Sequence, residues 1–377
     1  MTDAPAATLT APSLDAAARA TIDTPALLVD LDRVDAAIGR MATVMRERGV
    51  ALRPHAKTHK SVEIGRRQVA AGAAGVTVGT IGEAEVFAEG GLDDLFIAYP
   101  LVPLGPKADR LRALATRSRL RLGVDSATGA RAVADALGAD RGLVRLLVEI
   151  DSGGRRSGVA PSRAGSVARA ATESGMTVIG VFTHGGHGYA GPEATAGAAD
   201  DEVQALTEAA ASLRSMGVEA SVVSAGSTPT ALGSARGAVT EERPGTYVFG
   251  DRQQVRLGSI APDAVAAVVA ARVVSVNEDA GRFVIDAGAK ILCKDTTTYA
   301  PGYGEIPELD HAVIDRTADY HGVIEVGPGR SLPDIGRVVL VVPNHICPVV
   351  NTVDTFVAVQ GGRIVGTWPV DARGRSG

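Results

Sequence analysis

Between Gly49 and Asp251 the chain alternates short apolar runs with segments whose apolar residues recur at helical spacing. The runs are Val50–Lys57, Gly75–Thr80, Asp94–Pro100, Leu120–Ser126, Leu143–Ser152, Thr177–His184, Ala220–Ser227 and Tyr247–Asp251. Segments such as "IGEAEVFAEGG" and "PKADRLRALATRS" separate most of them. Eight strands alternating with helices over about 200 residues are the repeat of a (β/α)8 barrel. A doubly wound open sheet is the competing arrangement, but no Gly-x-Gly-x-x-Gly follows the first run, which weakens its dinucleotide-binding form.

After Pro262 the texture changes. "VAAVVAARVVSVNEDAGRFVIDAG" reads as two strands around the turn Asn277–Gly281, and "TFVAVQGGRIVGTWPV" as a hairpin turning at Gly361–Gly362. The expected fold class is α/β: a TIM-type barrel over residues 21–262, followed by a β-rich domain over 263–377. Residues 1–20 read as a mobile tail. The strand in "TPALLVDLDRV" suits either domain. A chain of 377 residues is long enough for this division. Its net charge of -5, with no long basic run, argues against nucleic acid. The longest apolar stretch, Ala264–Val276, is broken by Arg272 and is too short to span a bilayer. The N-terminal residues lack the basic start and apolar core of a secretory signal. Two cysteines, Cys293 and Cys347, cannot form a disulfide framework, and a reducing cytoplasm fits them.

The run "LRPHAKTHKS", Leu52–Ser61, is the densest cluster of ionisable groups. Alternation along a strand puts Arg53, His55 and Lys57 on the inward face at the C-terminal mouth of the barrel, where catalysis sits in this architecture. A structural ion-pair network is the plainer alternative. Lys60 falls at the start of the next helix, with Thr58 as a candidate cap, and reads as a solvated lysine. A lysine in an apolar mouth loses its proton more readily than in water and can form a Schiff base with a carbonyl. If that carbonyl belongs to pyridoxal 5'-phosphate, a phosphate cradle is needed, and barrels build one after strands seven and eight. The seventh run ends in "SAGSTPT", Ser224–Thr230, where small residues expose backbone amides and Ser227 and Thr228 add hydroxyls.

Two further strand ends carry candidates. After the fifth, "EIDSGGRRSGV" supplies Arg155 and Arg156, whose forks suit the cofactor's phenolic oxygen or a substrate carboxylate. After the sixth, "FTHGGHGYAG" supplies His184, His187 and Tyr189. In the β-rich part, "VVPNHICPVVN" places His345 and Cys347 on one side of an extended chain, a pair that favours zinc over magnesium. Two protein ligands make an open site, completed by water or substrate. Cys293, in "KILCKD", reads as a core cysteine.

In this order the motifs resemble the D-threonine aldolase/D-serine dehydratase family of fold-type III pyridoxal phosphate enzymes, relatives of alanine racemase. The resemblance runs from about Thr24 to Arg375 and is most specific in "RPHAKTHK", "GSTPT", "RPGTYVFGD" and "PNHICP". It implies that Lys57 carries the cofactor and acts as the catalytic lysine. It further implies that Arg156, not Arg155, contacts the cofactor with Tyr189, that Gly226, Ser227 and Thr228 hold its phosphate, and that His345 and Cys347 bind a divalent metal over the barrel mouth. The metal would be zinc first, with magnesium or manganese as alternatives. The family's aldolases resemble His-x-Asp at that point and its dehydratases His-x-Cys. Asp319 and Tyr320 depart from the Glu-Glu-His-Gly run common in those relatives. The expectation is a homodimeric dehydratase that turns a D-3-hydroxy amino acid, such as D-serine or D-threo-3-hydroxyaspartate, into a 2-oxo acid and ammonia. Retro-aldol cleavage to glycine and an aldehyde is the first alternative, a racemase a weaker one, and a non-catalytic pyridoxal phosphate carrier a more distant one.

Overall fold

The computed structural model describes residues 8–377. It divides into two compact units. One takes the chain up to Ile38, with Thr58–Lys60 and Thr246–Arg373; the other takes Gly39–Lys57, Ser61–Gly245 and Gly374–Gly377.

Strand β1 (Ala26–Asp30) belongs to the first unit; the second begins with β2 (Ala51–Leu52), β3 (Val76–Val78) and β4 (Asp94–Pro100). It continues with β5 (Arg119–Val124), β6 (Val144–Glu149), β7 (Thr177–Phe182), β8 (Val222–Ala225) and β9 (Glu241–Glu242). The strands from β2 to β9 form an eight-stranded sheet in the order β2-β9-β8-β7-β6-β5-β4-β3, and every neighbouring pair is parallel. The two edges meet just after β2. His55 bridges Thr77 in parallel, Ala56 N donates to Thr77 O at 2.8 Å, and Thr77 N donates to Pro54 O at 2.8 Å. This closes the (β/α)8 barrel expected from the alternation.

The local reasons are ordinary. β6 reads Val-Arg-Leu-Leu-Val-Glu and is buried at every position but one, as a strand covered on both faces must be. Ser126 caps the helix Ala127–Leu137 by accepting from Gly129 N, and that helix buries Ala130, Val133, Ala134 and Leu137 on one face. Inside the barrel Phe96, Leu147 and Phe182 cluster, with the two rings edge to face at 5.1 Å. Gly123 makes room for this cluster, since a Cβ there would stand 2.6 Å from Phe182 Cζ.

Near the strand starts the interior is ionic. Arg53, fully buried, donates from Nε to Glu241 Oε2 at 2.8 Å and from Nη1 to Asp94 Oδ1 at 2.6 Å, and Arg121 reaches the same Glu241 oxygen at 3.1 Å. This layer corrects two expectations. Arg53 does not face the mouth with His55 and Lys57, because its partners Asp94 and Glu241 lie at the beginnings of β4 and β9. The eighth strand is Glu241–Glu242, whereas Thr246–Val248 forms a 3-10 turn. A strand of two glutamates carries no apolar signature; the buried arginines make it tolerable.

The first unit is built on β1 with β10 (Ala267–Asn277), β11 (Arg282–Ile285), β12 (Glu305–Ile306), β13 (Ala312–Val313), β14 (Arg316–Thr317), β15 (Gly322–Glu325), β16 (Val338–Val341), β17 (Thr355–Gln360) and β18 (Arg363–Pro369). Its main sheet runs β14-β15-β11-β10-β1-β17-β18, with β16 also on β10; β12 and β13 pair separately. Both expected hairpins form, β10 with β11 and β17 with β18. Leu9, Leu14, Ala18 and Ile22 are buried in this unit's core with Leu28, Val268 and Leu340. The mobile tail expected over 1–20 is therefore a packed segment from Leu9 onward; its residues 1–7 lie outside those described. Lys60 is likewise buried, not solvated. Its Nζ donates to Ala372 O at 3.4 Å, and the following helix, Val62–Ala70, has Ser61 rather than Thr58 at its N-cap position.

Candidate active site

In the barrel unit Lys57 lines a cavity of 500 Å³ with His55, Tyr99, Asp125, Arg156, His184 and Arg243. A second cavity, of 320 Å³, shares Arg156, Ser157 and His184 with it and adds Glu149, Arg155 and Tyr189. Lys57 thus lines the first cavity, Tyr189 the second, and Arg156 both. Arg156 is set by the loop after β6. Asp151 Oδ1 accepts from Gly153 N and Arg155 N at 2.9 and 3.0 Å, and Arg156 Nη2 lies 4.0 Å from Glu149 Oε1. His184 is kept neutral: burial first, then the charges of Lys57, Arg156 and Arg243, push its imidazole down to about 3. It is also hydrogen-bonded to the Gly226 backbone, which ties the phosphate-loop candidate to the cavity. His187 pairs instead with Asp201 at 3.0 Å, and His59 packs edge-on to Phe249 within the other unit.

Gly226, Ser227 and Thr228 follow β8 and are not among the residues lining either cavity. Gly226 N donates to Glu202 Oε1 at 3.1 Å and Ser227 N to Thr230 Oγ1 at 3.1 Å, so two amides expected to face an anion are engaged within the protein. Gly226 has φ +103°, and a Cβ there would fall 1.9 Å from Glu242 Oε2. Glycine is required on that side by a buried carboxyl group. Burial raises both Glu202 and Glu242, and the Glu202 charge raises Glu242 further, which favours its protonated form.

Arg243 is the functional candidate that motif reading passed over. It is buried between Phe96 and Phe182, with its guanidinium carbon 5.7 and 5.3 Å from their centroids. Its Nε donates to Ser224 Oγ at 2.8 Å, and Ser224 Oγ donates to Glu241 Oε1 at 2.8 Å. A polar line thus runs from the ionic layer to the cavity. The available signal was its place in "RPGTYVFGD". The cavity gathers one amine and two guanidinium groups against a single lining carboxylate, Asp125. That donor set fits a phosphorylated carbonyl cofactor.

In the β-rich unit His345 stands extended before a short helix, Ile346–Val350, which contains Cys347. The expected extended strand is absent here. The helical turn nevertheless brings the two side chains within hydrogen-bonding reach of each other. Thr58 Oγ1 lies 3.2 Å from Cys347 Sγ, and Asp295 Oδ2 lies 2.6 Å from His345 Nδ1. Burial lowers the His345 imidazole, but Cys347, Asp251 and Asp295 outweigh it and push it up to about 10. An imidazole beside a thiol, with the Asp295 carboxylate against the ring, is a donor set that suits a divalent metal cation, so the residues fit one. Among the described residues no group of three or more His, Cys, Asp or Glu side chains is arranged as a metal site. Cys293 is half-buried with φ +63°, not in the core, and burial followed by Asp295 raises its thiol to about 11.

Residues 29–253 match the alanine racemase N-terminal domain, and residues 266–359 match the putative serine dehydratase domain. The chain belongs to this fold-type III pyridoxal phosphate family. It is 37% identical over 371 residues to D-threo-3-hydroxyaspartate dehydratase of Delftia sp. (strain HT23), covering 92% of this chain and 97% of that protein. It is 32% identical to D-threonine aldolase of Arthrobacter sp., covering 95% and 94%. The solved structure of the Delftia dehydratase superposes with a TM-score of 0.86, at 34% identity over 93% of this chain and 97% of that one. A cysteine-to-alanine mutant of that dehydratase has been solved in a metal-free form. Among the described residues no helix is long and apolar enough to cross a membrane.

Proposed function

We propose that this pyridoxal phosphate-dependent lyase is a dehydratase of D-3-hydroxy amino acids, D-threo-3-hydroxyaspartate or D-serine among them. The observation that carries the choice is the Cys347 thiol held beside His345, the dehydratase form of the metal pair. Likeness to the Delftia dehydratase supports the same reading. Lys57, Arg156, Tyr189 and Arg243, with Gly226, Ser227 and Thr228, would hold the cofactor; His345 and Cys347 would hold a divalent metal, zinc before magnesium or manganese. When bound, the cofactor supplies an electron sink for charge at the substrate α-carbon, and the metal a Lewis acid for the β-hydroxyl.

The residues then divide the work. Lys57 Nζ takes the α-proton and holds it. Arg156 and Arg243, which line the same cavity as Lys57, would orient and hold the cofactor through their guanidinium groups. Neutral His184 adds no positive charge to a space already crowded with cations. Loss of hydroxide from the β-carbon leaves an enamine, and its hydrolysis outside the protein gives the 2-oxo acid and ammonia, with no net consumption of water. A homodimer in a reducing cytoplasm is part of the same reading; light scattering tests the dimer.

The test is product analysis on a panel of D-3-hydroxy amino acids. Ammonia and 2-oxo acid in equal amounts, without glycine, are expected. Glycine and an aldehyde without ammonia would make the protein an aldolase, as the Arthrobacter relative is named.

A further inference from the structure

We propose that Asp295 is the positioning residue of the metal pair. Its carboxylate fixes the His345 ring so that Nε2 is the nitrogen presented to the metal. The proposal rests on the reading of His345 and Cys347 as ligands.

Asp295 lies fifty positions before His345 in sequence, yet its Oδ2 is 2.6 Å from Nδ1. With Nδ1 engaged as a donor to a carboxylate, the neutral ring exists as the tautomer whose lone pair is on Nε2. A carboxylate at the far nitrogen also raises the basicity of the ligating one.

Both side chains are partly exposed, at 36% for His345 and 47% for Asp295, so a passing surface pair is the competing explanation. The surroundings argue against it. The backbone carbonyl of Asp295 accepts from Asn344 Nδ2 at 2.9 Å, and Asn344 immediately precedes the histidine. That same amide donates to Gly302 O at 2.6 Å. On the other side the buried Asp251 accepts from Ile346 N through Oδ2 at 3.1 Å and from Gln254 N through Oδ1 at 2.8 Å. The peptide between the two ligands is therefore pinned by Asp251, the ring by Asp295, and Asp295 by the residue beside the ring. Thr58 Oγ1 holds the sulfur. Such over-determination positions ligands and exceeds what a solvated ion pair receives.

The experiment measures Zn²⁺ binding by competition with a chromophoric chelator, on cofactor-loaded protein stripped of metal. Wild type, His345→Ala, Asp295→Ala, Asp295→Asn and Asp295→Glu are compared. Asp295→Ala is expected to weaken Zn²⁺ about 10- to 100-fold. Asp295→Asn, whose amide oxygen still accepts from Nδ1, should lose less, and Asp295→Glu should recover part of the loss. Cofactor absorbance and the melting temperature of the metal-free protein should stay at wild-type values in all three, which separates positioning from folding. If His345→Ala loses zinc while every Asp295 variant binds like wild type, Asp295 is an idle surface partner and the proposal falls alone. If His345→Ala binds zinc as wild type does, the ligand assignment itself falls.

Discussion

The pocket around Lys57 and the pocket around His345 solve opposite electrostatic problems. The first gathers Lys57, Arg156 and Arg243 and keeps His184 neutral through burial and their charge. The second surrounds one imidazole with Asp251, Asp295 and Cys347, so that it holds its proton up to about 10. The same side chain, histidine, is driven down in one unit and up in the other. The lesson is that each pocket is charged to suit its proposed occupant: an anionic cofactor in the barrel, a cation in the β-rich unit.

Four changes would break or sharpen this contrast. The largest effect should come from Lys57→Ala, which removes the α-proton acceptor and is expected to cost about 10⁴-fold in ammonia release. The variant should still fold, because Lys57 is exposed to the cavity. Borohydride treatment of wild-type holoenzyme should fix the cofactor on the Lys57 peptide, and labelling of Lys60 or Lys290 would place the site elsewhere.

His345→Ala should cost about 10²- to 10³-fold in ammonia release, since it removes the leaving-group assistance but not the base. Metal analysis should find the ion gone, while α-proton exchange with deuterated solvent persists. Full activity in metal-free protein would reduce His345 and Cys347 to structural residues.

Glu242→Gln is a smaller and pH-dependent test of the barrel. Burial and Glu202 raise this carboxyl well above its ordinary 4.5. A raised carboxyl contributes stability that is fully present below its unfolded value and is lost as pH rises through its folded value. The unfolding free energy of Glu242→Gln, read from denaturant titrations at each pH, should therefore gain on wild type as pH climbs above 4.5, by about 1.4 kcal/mol for each unit crossed before the folded value is reached. A gap that stays constant between pH 5 and 8 would show that the carboxyl titrates normally.

Cys347→Asp should have the mildest effect. Carboxylate still ligates zinc, but the preference should move towards magnesium or manganese, read as a change in the activity ratio with each ion. An unchanged ratio would mean that the sulfur does not touch the metal.

Much of this was legible in the chain because its signals are local. Short apolar runs and helical apolar spacing reveal the barrel strands and helices one at a time, and the hairpins at Asn277–Gly281 and Gly361–Gly362 carry their own turn chemistry. "RPHAKTHK" and "PNHICP" marked the candidate chemistry through the residue types they bring together. What stayed hidden depends on partners far along the chain. Glu241–Glu242 is a strand only because Arg53 and Arg121 neutralise Glu241 inside the barrel. Leu9, Leu14 and Ala18 left the expected tail because the β-rich unit offers them an apolar surface.

The sequence by itself determined the fold class, the family and the residue types that chemistry requires, since those follow from periodicity, composition and short motifs. Only the tertiary structure decided the environments. It decided that Arg53 is spent on Glu241, that Arg243 sits against two phenylalanines at the cavity, that Gly226 is glycine because Glu242 lies behind it, and that Asp295 meets His345 across fifty residues. Protonation, ring orientation and ligand geometry depend on distances of a few ångströms between residues remote in sequence, and folding alone sets those distances.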